Sequence, residues 1–192
     1  MRTRTLTATA LLALALTACG SPDDTVNTTP KSAAPKAKEA PSTTASSAPP
    51  AEKKAATVGD TLTLKGMEDG EQLDVTLKQW LPTAKGADEF NAPSEGKKWV
   101  AAQFELVNTG TKAYADSPQN GAQVADAQGQ RFQSYFGEIA AGPQMASDLN
   151  LPKGEKALGW ILFEVPKNSQ IVSAQFAMNS GFSDQTGQWT VK

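Results

Sequence analysis

Trp99-Val100-Ala101-Ala102-Gln103-Phe104-Glu105-Leu106-Val107-Asn108-Thr109-Gly110 sets an apolar side chain at every second position (Val100, Ala102, Phe104, Leu106). It then stops at residues that tolerate left-handed backbone angles. A period of two is the mark of a strand with one buried face. The alternation recurs on both sides. Upstream, Val58, Leu62 and Leu64 mark one strand and Leu73, Val75 and Leu77 a second, joined by Glu68-Asp69-Gly70. Downstream, Val124 leads through Asp126-Ala127-Gln128-Gly129 to Phe132, Ser134 and Phe136, the pattern of a hairpin with a short glycine-containing loop. Ile161, Phe163 and Val165 form the most apolar strand, stopped by Pro166. Val172, Ala174 and Phe176 follow, and Trp189 and Val191 suggest a last edge strand. No segment sustains a helical stripe. Roughly seven or eight such strands in residues 57–192 predict an all-β, immunoglobulin-like antiparallel β-sandwich held by packing alone.

The chain ahead of this domain has a different character. Residues 20–56 are rich in Ser, Thr, Pro, Ala and Lys, with almost no large apolar side chain, and include Thr28-Thr29-Pro30 and Ala48-Pro49-Pro50. Such a segment cannot bury enough surface to offset ordering, so it reads as a disordered tether with a reach of roughly 35 Å or more. It suits either a bare solvated spacer or an O-glycosylated one. Residues 1–19 have a basic start (Arg2, Arg4), an apolar run from Ala8 to Ala18, and then Cys19. This is a secretory signal, and its run is about half of the ~20 residues needed to span a bilayer. Leu16-Thr17-Ala18-Cys19 resembles the lipobox of bacterial lipoproteins, in which the cysteine thiol receives a diacylglyceryl group. The resemblance implies a lipidated Cys19, a location on the extracytoplasmic face of the cell membrane, and the lipid bilayer as a partner.

Composition limits the chemistry. The 192 residues include 18 Lys+Arg, 20 Asp+Glu, no histidine and one cysteine. Intramolecular disulfides, Cys/His zinc sites and imidazole-dependent triads are therefore excluded. Without the two signal arginines the charge is minus 4, and Arg131 is the last arginine. No nucleic-acid partner is expected of such a chain, and no arginine clamp can be built. The hydrophobic fraction of 39 % is low because the tether dilutes it.

Few residues suggest a site. Ser94-Glu95-Gly96-Lys97 has the Ser-x-x-Lys spacing of penicillin-recognising enzymes, but Pro93, Gly96 and the following strand deny it a helix. Glu68, Asp69, Glu71 and Asp74 crowd one hairpin without the spacing of a loop that wraps a cation. Strand parity turns three tryptophans away from the core. Trp80 falls with Asp74, Thr76 and Lys78, Trp99 with Gln103 and Glu105, and Trp160 with Leu162 and Glu164. Such a set could stack on sugars or anchor a protein partner. Alternatively, the strandless stretch from Gly137 to Pro152 could cover them with Ile139, Met145 and Leu149, and a register slip of one residue would put them inside.

Gly96-Lys97-Lys98-Trp99-Val100, Glu105 to Gly110, Asp126-Ala127-Gln128-Gly129-Gln130, Leu151-Pro152-Lys153-Gly154-Glu155 and Gly159 to Pro166 occur in this order. Together they resemble a bacterial domain of unknown function of the immunoprotective extracellular immunoglobulin-like superfamily, over about residues 57–179. The resemblance implies a secreted or lipid-anchored β-sandwich and supplies no catalytic residues. The resulting expectation is a membrane-anchored, non-catalytic binding or scaffolding module that needs no cofactor or metal. Its alternative is a cell-wall or glycan binder that uses Trp99, Trp160 and Trp80.

Overall fold

The computed structural model describes residues 55–192 and the backbone of one strand at 27–31. Strands β1 (Asn27–Lys31), β2 (Ala56–Thr57), β3 (Thr61–Lys65), β4 (Gln72–Leu81) and β5 (Lys97–Asn108) come first. They are followed by β6 (Tyr114–Asp116), the short helix α1 (Pro118–Gly121), β7 (Ala122–Asp126), β8 (Arg131–Tyr135), β9 (Leu149–Leu151), β10 (Lys156–Pro166), β11 (Ile171–Ala177) and β12 (Thr186–Thr190). The ladder order is β1-β3-β4-β5-β10-β8-β7-β11-β12-β2, with β6 and β9 forming a separate pair.

The spine is the antiparallel pair β5/β10, in register from Lys97↔Pro166 to Val107↔Lys156. Strand β8 pairs with β10 through Tyr135 and Ser134 and with β7 through Arg131, Phe132 and Gln133, so it carries the ladder from one sheet to the other. On the opposite side β3 faces β12 without a ladder. There the Trp189 indole N–H donates to the Asp60 carbonyl at 2.9 Å. The result is the expected all-β sandwich.

The core follows the period of two. Leu73, Val75 and Leu77 of β4, Val100, Ala102, Phe104 and Leu106 of β5, and Ile161, Phe163 and Val165 of β10 are all buried. From the second sheet come Val124, Ala174, Phe176 and Trp189. Phe104 meets Phe176 and Trp189 with ring centroids 5.6 Å apart in each case. Tilted and edge-on aromatic pairs of this kind add about 0.5–1.5 kcal/mol each beyond the area they bury.

Several sequence expectations require correction. Val58 is exposed in a turn, and its strand begins at Thr61. Phe136 is exposed beyond the end of β8. The final strand β12 is flanked by β2, which runs parallel to it, so β12 is not the edge and Ala56 belongs to the fold. The β6/β9 pair falls in segments of three residues each, too short for a period of two to stand out. Five residues of the stretch read as a disordered tether, Asn27–Lys31, pair with β3. Backbone hydrogen bonds at a sheet edge need no apolar side chains, and Pro30 is tolerated there because an edge strand can spare a donor. The rest of that stretch up to residue 54, the signal and Cys19 lie outside the described residues.

Candidate functional site

Trp80 reaches the site through an irregularity in β4. Leu77 pairs with Phe104, but Gln79 pairs with Gln103, so Lys78 is an extra residue in the strand. A bulge of one residue reverses the parity of everything after it. Trp80 now lies opposite Ala102, a core residue, and packs against the core instead of facing outward. The outward orientation expected for Trp80 is therefore wrong, because simple parity cannot register the bulge.

Turned inward near the strand end, Trp80 lines a cavity of about 530 Å³ where the two sheets part. Pro82 and Val100 complete the wall from the first sheet, and Ile171, Val172 and Val191 form the wall from the second. Gln170 and Thr190 supply uncharged polar groups, and Lys98 and Lys192 the charge. Lys98 has the parity of Val100 and Phe104, so it points between the sheets at their open end, where it is half-buried. That parity is readable in the sequence, but a charged residue at a strand end carries no local sign that it lines a cavity.

Trp99 and Trp160 do leave the core side of their strands, as parity requires, but they are not exposed. Each is at most 3 % exposed. They pack with Ala101 and Leu162 in a second cluster on the outer face of β5 and β10, roofed by Ala84 and Ile139, with Leu81 at the end of β4 packed alongside. Two loops form this roof and are tied to each other. Ala87 N–H donates to the Glu138 carbonyl at 3.0 Å, and Ala140 N–H to the Lys85 carbonyl at 3.0 Å. The second loop is also sewn to β10, with Met145 N–H on the Trp160 carbonyl at 2.8 Å and Trp160 N–H on the Pro143 carbonyl at 3.1 Å. Gly159 permits this contact, since a Cβ there would lie 2.4 Å from the Met145 Cα. The covered reading of Trp99 and Trp160 holds through Ile139, but Met145 and Leu149, expected in the same cover, pack with the main core instead. Neither ring is available for stacking on a sugar.

Ser94 does not form a nucleophile–lysine pair. Its amide and hydroxyl donate to the two Glu164 oxygens at 2.8 and 3.0 Å, and the Trp99 indole N–H adds a third bond to that carboxylate at 3.2 Å. Burial tends to raise the Glu164 pKa, but these donors outweigh it and hold the carboxyl below its ordinary value. The group is an anionic clasp between the 93–97 turn and β10.

The acidic hairpin is likewise tied to its neighbours. Glu68 pairs with Lys112 at 2.8 Å, which lowers the carboxyl pKa and raises that of the amine. Glu71 accepts from the Asn179 amide at 3.1 Å, and Asp74 from the Thr63 hydroxyl at 2.5 Å. Tyr114, buried beside Asp116, has its hydroxyl pKa pushed up by that burial. Among the described residues no three metal-ligating side chains converge.

Residues 67–187, more than half of the chain, match a family whose description is domain of unknown function, DUF4352. The chain belongs to the DUF4352 family. Its DUF4352 domain is similar to MPT63, a secreted protein of Mycobacterium tuberculosis, at 19 % identity and a TM-score of 0.52. The alignment covers 73 % of this chain and 99 % of MPT63. Two Bacillus subtilis structures align at 13 % identity each. The candidate lipoprotein ycdA has a TM-score of 0.48, with 65 % of this chain and 39 % of that one covered. The yjhA protein has a TM-score of 0.49, with 71 % and 99 % covered. The DUF4352 chain thus spans well under half the length of ycdA. At these identities the likeness to MPT63 is one of fold. No curated protein matches the sequence.

Proposed function

We propose that this protein is a non-catalytic binding module, held on the extracytoplasmic face of the cell membrane by a lipid on Cys19. In this reading it is an immunoglobulin-like sandwich of the immunoprotective extracellular superfamily, and its ligand enters between the sheets at Trp80. The observation that carries the binding reading is the cavity of about 530 Å³ with apolar walls and a lysine that points inward. A volume of that order is typical of small-molecule sites. Localisation is supported by Leu16-Thr17-Ala18-Cys19 at the end of the apolar run, and by the fold shared with a secreted protein. The absence of catalysis is supported by the Ser94 hydroxyl and the Glu164 carboxylate each being used in the same clasp.

The test is lysine footprinting of the full chain in its native envelope, with the purified protein as reference. Lys98 should be protected in the envelope while exposed lysines such as Lys153 react equally in both. Equal reactivity of Lys98 would remove the site. Fractionation of Cys19→Ala tests the anchor: release from the membrane is expected, and retention contradicts it. Turnover of any hydrolase substrate that disappears in Ser94→Ala or Glu164→Gln would overturn the non-catalytic reading.

A further inference from the structure

The walls of the cavity favour one ligand chemistry, and the inference rests on the binding reading above. Trp80, Val100, Ile171, Val172 and Val191 present hydrocarbon to the space between the sheets. A polar group lying against those walls would give up its hydrogen bonds to water without replacing them, whereas an alkyl chain gives up none; the polar partners in the lining are Gln170, Thr190 and the two lysines. The charged group at the mouth is Lys98, whose position within the ladder lets its stem run along the apolar wall with the ammonium at the opening. Lys192 lines the cavity from the other sheet. No acidic side chain lines it, and neither ammonium has an ion-pair partner among the described residues; Lys192, the last residue of the sequence, brings an α-carboxylate with its ammonium, so the net positive charge is that of Lys98.

We propose that the cavity takes an anionic amphiphile, with an acyl chain between the sheets and an acidic head on Lys98. A lysine presents a compact point charge without the planar fork of arginine, so head charge is selected in preference to head shape. The consequence is a module that accepts single-chain lipids or fatty acids and rejects cationic amphiphiles of equal length.

The test uses the full chain carrying Cys19→Ser, purified without detergent, and reads tryptophan fluorescence against decanoate, undecanoate and laurate below their micelle concentrations. Trp99, Trp160 and Trp189 are buried, and Trp80→Phe identifies the responding ring. Saturable binding is expected, tightening about fourfold per added methylene. Dodecyltrimethylammonium should bind at least about tenfold more weakly than laurate, and Lys98→Met should weaken laurate by about tenfold with the fold intact. Val172→Trp, which fills the opening, should abolish the response. Equal affinity for laurate and the cationic probe, no change in Lys98→Met, or no saturable binding of any carboxylate would overturn the proposal. If none binds while Lys98 is still protected in the native envelope, the amphiphile is wrong and the binding site stands. If Lys98 is unprotected as well, both fall.

Discussion

Asn108 is only 1 % exposed, yet no polar atom of its side chain is idle. Its amide donates to the Lys112 and Leu151 carbonyls at 2.8 Å each, and its oxygen accepts from Gly110 N–H at 3.0 Å. One side chain thus ends β5, shapes the following turn and holds β9 in place. Asn108→Ala leaves buried groups unpaired and should cost about 2–3 kcal/mol in urea unfolding; a loss below 0.5 kcal/mol on the order of an exposed site would contradict this role. Glu164 is the residue with a readable pH signature. Its folded-state pKa lies below the unfolded value near 4.5, so its stabilisation is fully present above that value and is lost as pH falls through the lower, folded one. Glu164 is partly solvated, and Glu164→Gln should therefore cost only about 1 kcal/mol at pH 7. The gap between wild type and variant should narrow in unfolding curves as the pH is taken progressively below 4.5. A gap that does not depend on pH would mean the charge is not what the clasp uses.

At the scale of elements, the second apolar cluster depends on the loop that crosses β10. Gly159→Ala drives a methyl group into the backbone at Gln144 and Met145. It should destabilise by about 1–3 kcal/mol and lift the roof from Trp160. Acrylamide should then quench a larger share of the tryptophan emission; unchanged quenching would show that the roof is held elsewhere. Strand β1 is the opposite case. It joins the sheet at an edge, through two register positions on either side of an irregularity, and contains Pro30. Replacing Asn27–Lys31 by Gly and Ser should change stability by no more than about 1 kcal/mol. A larger loss would make β1 an integral strand.

For the molecule as a whole, the sandwich was legible because its spine is regular. Val100 to Leu106 and Ile161 to Val165 alternate without a break and are paired with each other. The outward parity of Trp99 and Trp160 was equally legible. Their burial was not, since it depends on two loops whose docking leaves no period in the sequence. Trp80 was misread because a single extra residue, Lys78, reverses its face, and nothing in the local composition announces a bulge there. The cavity was invisible for a related reason: residues from β4, β5, β11 and the segment after β12 meet only once both sheets are in place. The proposed binding site is the open end of the sandwich and not the covered outer face. NMR of the full Cys19→Ser chain titrated with laurate tests it directly. The Trp80 indole and the Lys98, Ile171 and Val172 amides should shift together, while the indoles of Trp99, Trp160 and Trp189 stay in place. Shifts centred on Trp99 and Trp160, or none at Trp80, would contradict it.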